Sequence, residues 1–191
     1  MAKKYNRYII DGHSVPGVTT IIGWTSSRQL GYWRGKLGNQ KADEVSDEGK
    51  NFGSKVHSII EAHLAGQKAT LTKPFDAILE NFKNVTKGWE IVETEKELLN
   101  KEYMYGGTCD LLVKIDGELT LVDIKTGGLY DNKELAQLAG YDMCLKVEKH
   151  GILQLDKDTT LWEFLPRRLG KVDYDAFLAY KTIMEHQKGT K

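Results

Sequence analysis

Residues 111–115 read LLVKI and residues 118–122 read ELTLV, two runs rich in Leu, Val and Ile on either side of Asp116-Gly117. An Asp-Gly pair between such runs is the strongest short-range signal for a β-hairpin with a two-residue turn. In that turn Ile115 faces Glu118, and the same register carried outward sets Asp110 directly opposite Asp123. Strands that are apolar on both faces lie in the middle of a sheet and are covered on both sides. The hairpin therefore predicts central strands covered on both sides, with two aspartates facing each other at its open end.

Directly opposed residues have Cβ atoms about 4.5–5.5 Å apart, and like charges there repel. The pair calls for a cation. Side chains alternate along a strand, which puts Lys125 on the face of Asp123 and, through the register, of Asp110. Rigid carboxylates at short range suit Mg2+ or Mn2+, hard ions that take oxygen ligands and keep several waters. A D-x-K tripeptide alone is noise. The upstream aspartate in register, the apolar strands and the trailing Thr126-Gly127-Gly128 distinguish it from an ordinary solvated hairpin end.

GGTCD at 106–110, VDIKTGG at 122–128 and QLAGY at 137–141, with His57 upstream in FGSKVHSIIEAHL, resemble the core of the PD-(D/E)XK nuclease superfamily in its RecB-like exonuclease branch. The resemblance runs from Gly53 to Tyr141, with a weaker echo in VPGVTTIIGW at 15–24. That branch includes phage recombination exonucleases and the mitochondrial genome maintenance exonuclease. The resemblance implies an α/β fold with a restriction-endonuclease-like core, a central mixed β-sheet flanked by helices. It also implies a Mg2+- or Mn2+-dependent DNA exonuclease of phage-type recombination, repair or replication, with a single-strand annealing or recombination protein as partner. Asp110, Asp123 and Lys125 would be catalytic, and His57, Asp110, Asp123 and the backbone carbonyl of Ile124 would hold metal. Two alternatives stay open: an endonuclease or junction resolvase on the same core, and a DNA-binding protein that keeps the fold without turnover.

The segment from Asp43 to Ala65 reads as a helix, broken or curved near Gly49 to Gly53, with Val56, Ile59, Ile60 and Leu64 as its apolar stripe. Gly53, His57 and Glu61 share a neighbouring face, which offers His57 as a ligand or proton carrier and Glu61 as its water-linked or orienting partner. From Trp89 to Leu99 the pattern is that of a strand, and either Glu95 or Glu97 faces its sheet partner; Glu95 fits the family's T-E pattern better. A second main helix covers Asn132 to Glu148, with Asp131 as a candidate N-cap. Gln137 and Tyr141 lie one turn apart on it, an amide and a phenol suited to hydrogen bonding a phosphate or the site's backbone. Two further strands, from Gly151 and from Thr160, and a closing helix over Val172 to Glu185 complete the pattern.

A chain of 191 residues is one domain with enough core to fold unaided. It divides into a basic segment 1–41, a catalytic core 53–165 and a C-terminal helix 166–191. Net charge is zero, from 27 basic and 27 acidic residues. Residues 1–41 hold seven Lys or Arg against one Asp, and residues 166–191 hold six against three, so the middle is acidic. Such asymmetry suits a phosphate-binding rim around an acidic, metal-loaded centre, although solvated faces give the same count. In RQLGYWRGKLG at 28–38, Arg28, Trp33, Arg34 and Lys36 are candidate DNA contacts, while Trp33 with Leu37 also fits a buried helix stripe. Cys109 and Cys144 are too few for an iron-sulfur cluster or a disulfide framework. No apolar run approaches the ~20 residues of a membrane span, and the N-terminus lacks a signal-peptide core, which predicts a cytoplasmic protein, in the host cytoplasm if phage-encoded. Walker A, dinucleotide and HExxH patterns do not occur.

Overall fold

The computed structural model of the chain describes residues 8–25, 28–68, 70–129 and 132–189, and for 28–30 the backbone alone. A small hairpin of β1 (Tyr8–Ile10) and β2 (His13–Val15) leads into α1 (Val18–Gly23). Then come α2 (Arg28–Leu37), α3 (Asn39–Leu64) and α4 (Phe75–Val85). The main sheet is built from β3 (Glu90–Asn100), β4 (Tyr105–Ile115), β5 (Glu118–Lys125), β6 (Lys149–Leu155) and β7 (Trp162–Arg167). Helix α5 (Lys133–Leu145) connects β5 to β6, and α6 (Lys171–Gly189) follows β7.

The five strands lie side by side in chain order. β5 is central, antiparallel to β4 and parallel to β6, so the sheet is mixed. The β4–β5 turn is as the sequence dictates: Asp116 and Gly117 have φ of 53° and 83°, the left-handed pair of a two-residue hairpin, and Ile115 pairs with Glu118. Asp11 and Gly12 form the corresponding turn of the small hairpin.

Period-two alternation splits the core into two layers. Leu121 and Ile152 pack with Val18, Ile21, Leu138, Tyr141, Phe177 and Met184 beneath α1, α5 and α6. Their chain neighbours Val122 and Leu153 pack on the other face with Val56, Ile60, Ile78 and Phe82 of α3 and α4. This is the α/β arrangement expected, a mixed sheet flanked by helices. At Gly140 a Cβ would lie 2.7 Å from the ring of Phe177, so glycine there lets α5 and α6 pack closely.

Three expectations need correction. Helix α3 is one unbroken element that begins at Asn39 rather than near Asp43. Each helical glycine costs about 0.5–1 kcal/mol relative to alanine, less than the burial of Val56, Ile59, Ile60 and, near its start, Ala42 returns. The divisions at 41 and 53 therefore both fall inside α3. At the other end β7 runs to Arg167 and the last helix starts at Lys171, so residue 166 is still strand. The N-cap expected at Asp131 lies outside the described residues. Among those described, no helix is long and apolar enough to cross a membrane.

Candidate active site

The antiparallel ladder of β4 and β5 runs from Ile115↔Glu118 to Leu111↔Val122 and stops there. One step further, Asp110 stands opposite Asp123. The backbone N–H of Ile124 donates to Asp110 Oδ2 at 2.7 Å, a side-chain bond beyond the last ladder pair. On the other edge of β4, Thr94↔Leu111 and Lys96↔Cys109 bracket Glu95, which stands opposite Asp110 with φ of 47°. Alternation also breaks here. Cys109 packs into the layer of α1, α5 and α6, and Leu111, two residues on, into the layer of α3 and α4. Glu95, Asp110 and Asp123 thus form one acidic row across three adjacent strands.

Helix α3 brings His57 to this row, its Nδ1 3.5 Å from Asp110 Oδ1. One ligand atom each from His57, Glu95 and Asp110 lie within 4.8 Å of one another. This decides between the two glutamates left open by the sequence: Glu95 reaches the cluster, while Glu97 stands opposite Thr108. Glu61 lines a small recess with His57, Glu95 and Asp110 but is not in that three-residue cluster. Gly53, one turn before His57, meets the turn after β5, where a Cβ would lie 2.8 Å from Thr126 Oγ1.

Asp123 is 2 % exposed and held by α5. Gln137 Nε2 donates to its Oδ1 at 2.9 Å and to Tyr141 OH at 3.1 Å, while Gln137 Oε1 accepts from Lys125 Nζ at 2.8 Å. Lys125 Nζ pairs with Asp123 Oδ2 at 2.7 Å. Tyr141 can reach this position because β4 has glycine opposite it: a Cβ on Gly107 would sit 2.7 Å from the ring. The Gln137 amide, expected to bond either a phosphate or the site itself, bonds the site's own aspartate and lysine.

The titrations all move one way. Burial pushes the Asp123 carboxyl above the usual carboxylate range, an effect that Lys125 offsets in part and Asp110 adds to. Burial alone would lower the pKa of Lys125, but Asp123 and then Asp110 hold it above its ordinary value. His57 behaves alike: burial lowers its pKa, and Asp110, Asp123 and Glu95 raise it by more. Tyr141 is pushed well up by burial and by the two aspartates, and stays a neutral phenol. Neighbouring carboxylates raise Lys125 and His57 against their burial, while burial itself raises Asp123 and Tyr141. An anionic cluster with oxygen and imidazole donors fits a hard divalent cation.

These residues line a cleft of about 400 Å3. It contains His57, Asp110, Asp123, Ile124, Lys125, Gln137 and Tyr141, so the sequence-derived set converges except at its edges. It also contains Tyr8, Thr19, Thr108 and Thr126, whose roles were not read from the sequence. Of the candidate DNA contacts whose side chains are described, Trp33, Arg34 and Lys36 do not line it. Helix α2 packs on α3; Arg34 pairs with Asp43 at 2.8 Å, Lys36 Nζ sits 4.7 Å over the Tyr32 ring, Trp33 is half-buried, and the Arg28 side chain lies outside the described residues. Their basic and aromatic character is used, in the described part, within α2 and between α2 and α3. A larger cavity of about 700 Å3 opens at the opposite end of β5, around Thr120, Lys149, Phe164 and Arg167. Acids and bases are mixed there, without the converging donors of the cleft. Cys109 and Cys144 are both free thiols.

No protein-family model matches the chain, and no curated protein matches its sequence. Solved structures do resemble it in fold. SSO0001 aligns over 92% of this chain and 78% of its own at 17% identity, with a TM-score of 0.49. LHK-Exo, an alkaline exonuclease from Laribacter hongkongensis, in its complex with dAMP, aligns over 91% of this chain and 89% of its own at 15% identity, with a TM-score of 0.40. A phage-related exonuclease from Haemophilus somnus 129PT aligns over 89% and 93% at 12% identity, with a TM-score of 0.38. At these identities the likeness concerns the course of the chain.

Proposed function

We propose that this chain is a metal-dependent deoxyribonuclease acting as an exonuclease in phage-type recombination, repair or replication, in the cytoplasm and beside a single-strand annealing or recombination protein. The observation that carries the proposal is the Asp110, Asp123, Lys125 and Gln137 arrangement, with His57 and Glu95 on the same acidic row. A binding module has no use for buried, opposed carboxylates with a lysine held against them.

In this reading His57, Asp110 and Asp123, with the Ile124 carbonyl, would hold a Mg2+ or Mn2+ ion, and Glu95 would join them from β3. Such an ion would supply shielding of the phosphodiester's negative charge and a more acidic bound water. The protein supplies the rest. Asp110, fixed by the Ile124 N–H, and Asp123, fixed by Gln137, keep their oxygens in place before substrate arrives, so little reorganisation is needed during reaction. Lys125 presents an ammonium to the phosphorane oxygen on which negative charge accumulates. Gln137 is a positioning residue, since it touches Asp123 and Lys125 rather than the reacting atoms.

Digestion of 5′- and 3′-labelled linear DNA and of covalently closed circular DNA, with Mg2+, Mn2+ or EDTA, tests the proposal. Linear DNA is degraded from an end with metal and spared in EDTA. Cleavage of the closed circle would instead identify an endonuclease or resolvase, and binding without degradation a non-catalytic protein.

A further inference from the structure

The wall of the cleft built by the N-terminal hairpin has no part in the chemistry just described, yet it is held tightly against β4. Gly17 bridges to Gly106, the N–H of Gly106 donates to Pro16 O at 2.9 Å, and Tyr8 OH shares a 2.9 Å hydrogen bond with Thr108 Oγ1. Two glycines allow it: a Cβ on Gly106 would lie 2.3 Å from the Tyr8 ring, and one on Gly17 2.9 Å. The result sets three hydroxyls, from Tyr8, Thr19 and Thr108, in the same cleft as Asp110, Asp123 and Lys125. Tyr8 is 7 % exposed while Thr19 is open to solvent, so the wall runs from the interior outward.

This wall carries hydroxyls and no charge, where the facing wall carries carboxylates, a lysine and a histidine. Neutral hydroxyls donate to phosphate oxygens without competing for a metal, and contacts of that kind position a nucleic-acid strand without reading its sequence. We infer that Tyr8, Thr19 and Thr108 form a subsite for a backbone phosphate neighbouring the one cleaved, and so hold the strand across the metal-facing wall. The inference rests on the nuclease reading for the identity of the neighbouring phosphate, but strand binding at this wall is measurable without turnover.

The test compares the wild type with Tyr8→Phe, Thr19→Val and Thr108→Val, singly and together. Anisotropy of a fluorescein-labelled single-stranded oligonucleotide, with Ca2+ in place of Mg2+, reads strand binding. Steady-state degradation reads KM and kcat, Mn2+ titration reads the metal site, and thermal melting reads the fold. Each lost hydrogen bond weakens strand binding by about two- to tenfold and raises KM in proportion, with Mn2+ affinity unchanged; melting is unchanged in Thr19→Val and falls modestly in Tyr8→Phe and Thr108→Val, which also lose their mutual hydrogen bond. Unchanged binding and KM in the triple variant would overturn the subsite, as would a loss confined to kcat. If the wild type binds the strand but does not degrade DNA with any metal, the nuclease reading fails while the binding comparison still decides the subsite. A wild type that does not bind the strand overturns the subsite, while degradation of linear DNA still decides the nuclease reading.

Discussion

Asp110 Oδ2 accepts the backbone N–H of Ile124 at 2.7 Å, at the point where β4 and β5 cease to pair. One carboxylate oxygen thus completes the end of the hairpin while the other faces His57. The two tasks separate in mutants. Asp110→Asn keeps an acceptor for Ile124 and loses the charge, so the fold holds and DNA degradation collapses. Asp110→Ala also leaves that N–H unpaired, at a cost of about 1–3 kcal/mol if it stays dry. Thermal denaturation should place Ala below Asn; equal stabilities would show that the bond is not structural.

Gln137 joins Asp123 to Lys125 through one amide. Gln137→Leu removes both bonds and should lower kcat by about 10–100-fold, the usual cost of losing a group that orients metal ligands. A hydrogen bond to a carboxylate favours its charged form, so its loss raises the Asp123 pKa further. In the metal-free protein the Asp123 titration, already above the usual carboxylate range because the group is buried, therefore moves to higher pH, as carboxyl NMR titration would show. A variant with lower kcat but an unmoved Asp123 titration would contradict this coupling.

The hairpin was legible because turn chemistry and apolar alternation agree over its whole length: Asp116-Gly117 sets the register and Leu, Val and Ile set its burial. Asp110, Asp123 and Lys125 follow from that register alone. Gln137 was legible as a site residue, but not as the clamp between Asp123 and Lys125, because that contact depends on how α5 crosses the sheet. Glu95 could not be separated from Glu97, since strand period assumes regular alternation and β3 carries a positive φ at Glu95. Tyr8 left no local signal and Thr19 stood only in the weaker echo at 15–24; Tyr8 enters the cleft by docking of the small hairpin on β4, where Gly106 leaves room for its ring. For the basic and aromatic residues of α2, composition does not reveal that Arg34 pairs with Asp43.

Asp142 lies beside Tyr141 but outside the cleft, and its carboxylate accepts from Val147 N–H at 2.8 Å and Tyr174 OH at 2.7 Å, with His150 Nε2 at 3.2 Å. Burial alone would raise its pKa; His150, Tyr174 and the Val147 N–H lower it by more, to below the ordinary 3.8. A depressed carboxyl stabilises the fold above its unfolded-state pKa and ceases to do so as pH falls through the folded value. Asp142→Asn should therefore melt below the wild type at neutral pH, by about 1–3 kcal/mol, and the gap should close as the pH falls below 3.8. Urea denaturation across pH checks the sign; a gap that widens on acidification would be inconsistent with it.

At Gly53 two effects oppose each other. Alanine in a helix gains about 0.5–1 kcal/mol over glycine, whereas a Cβ 2.8 Å from Thr126 Oγ1 overpacks a contact, at about 1–3 kcal/mol. Overpacking wins, so Gly53→Ala should displace α3 from the turn after Lys125 and lower activity. Adding Thr126→Ala removes the clashing hydroxyl and should restore stability to at least the wild-type level. No rescue in the double variant would place the damage elsewhere.

The central claim is that Lys125, beside a metal held by its neighbours, drives hydrolysis of DNA. It is tested most directly by single-turnover degradation of labelled linear DNA with Mg2+, wild type against Lys125→Ala, with Mn2+ binding measured on the same samples. Removing a donor to the developing charge should slow cleavage by about 100-fold or more while Mn2+ still binds and the protein remains folded. Equal cleavage rates in the two folded proteins would contradict the account.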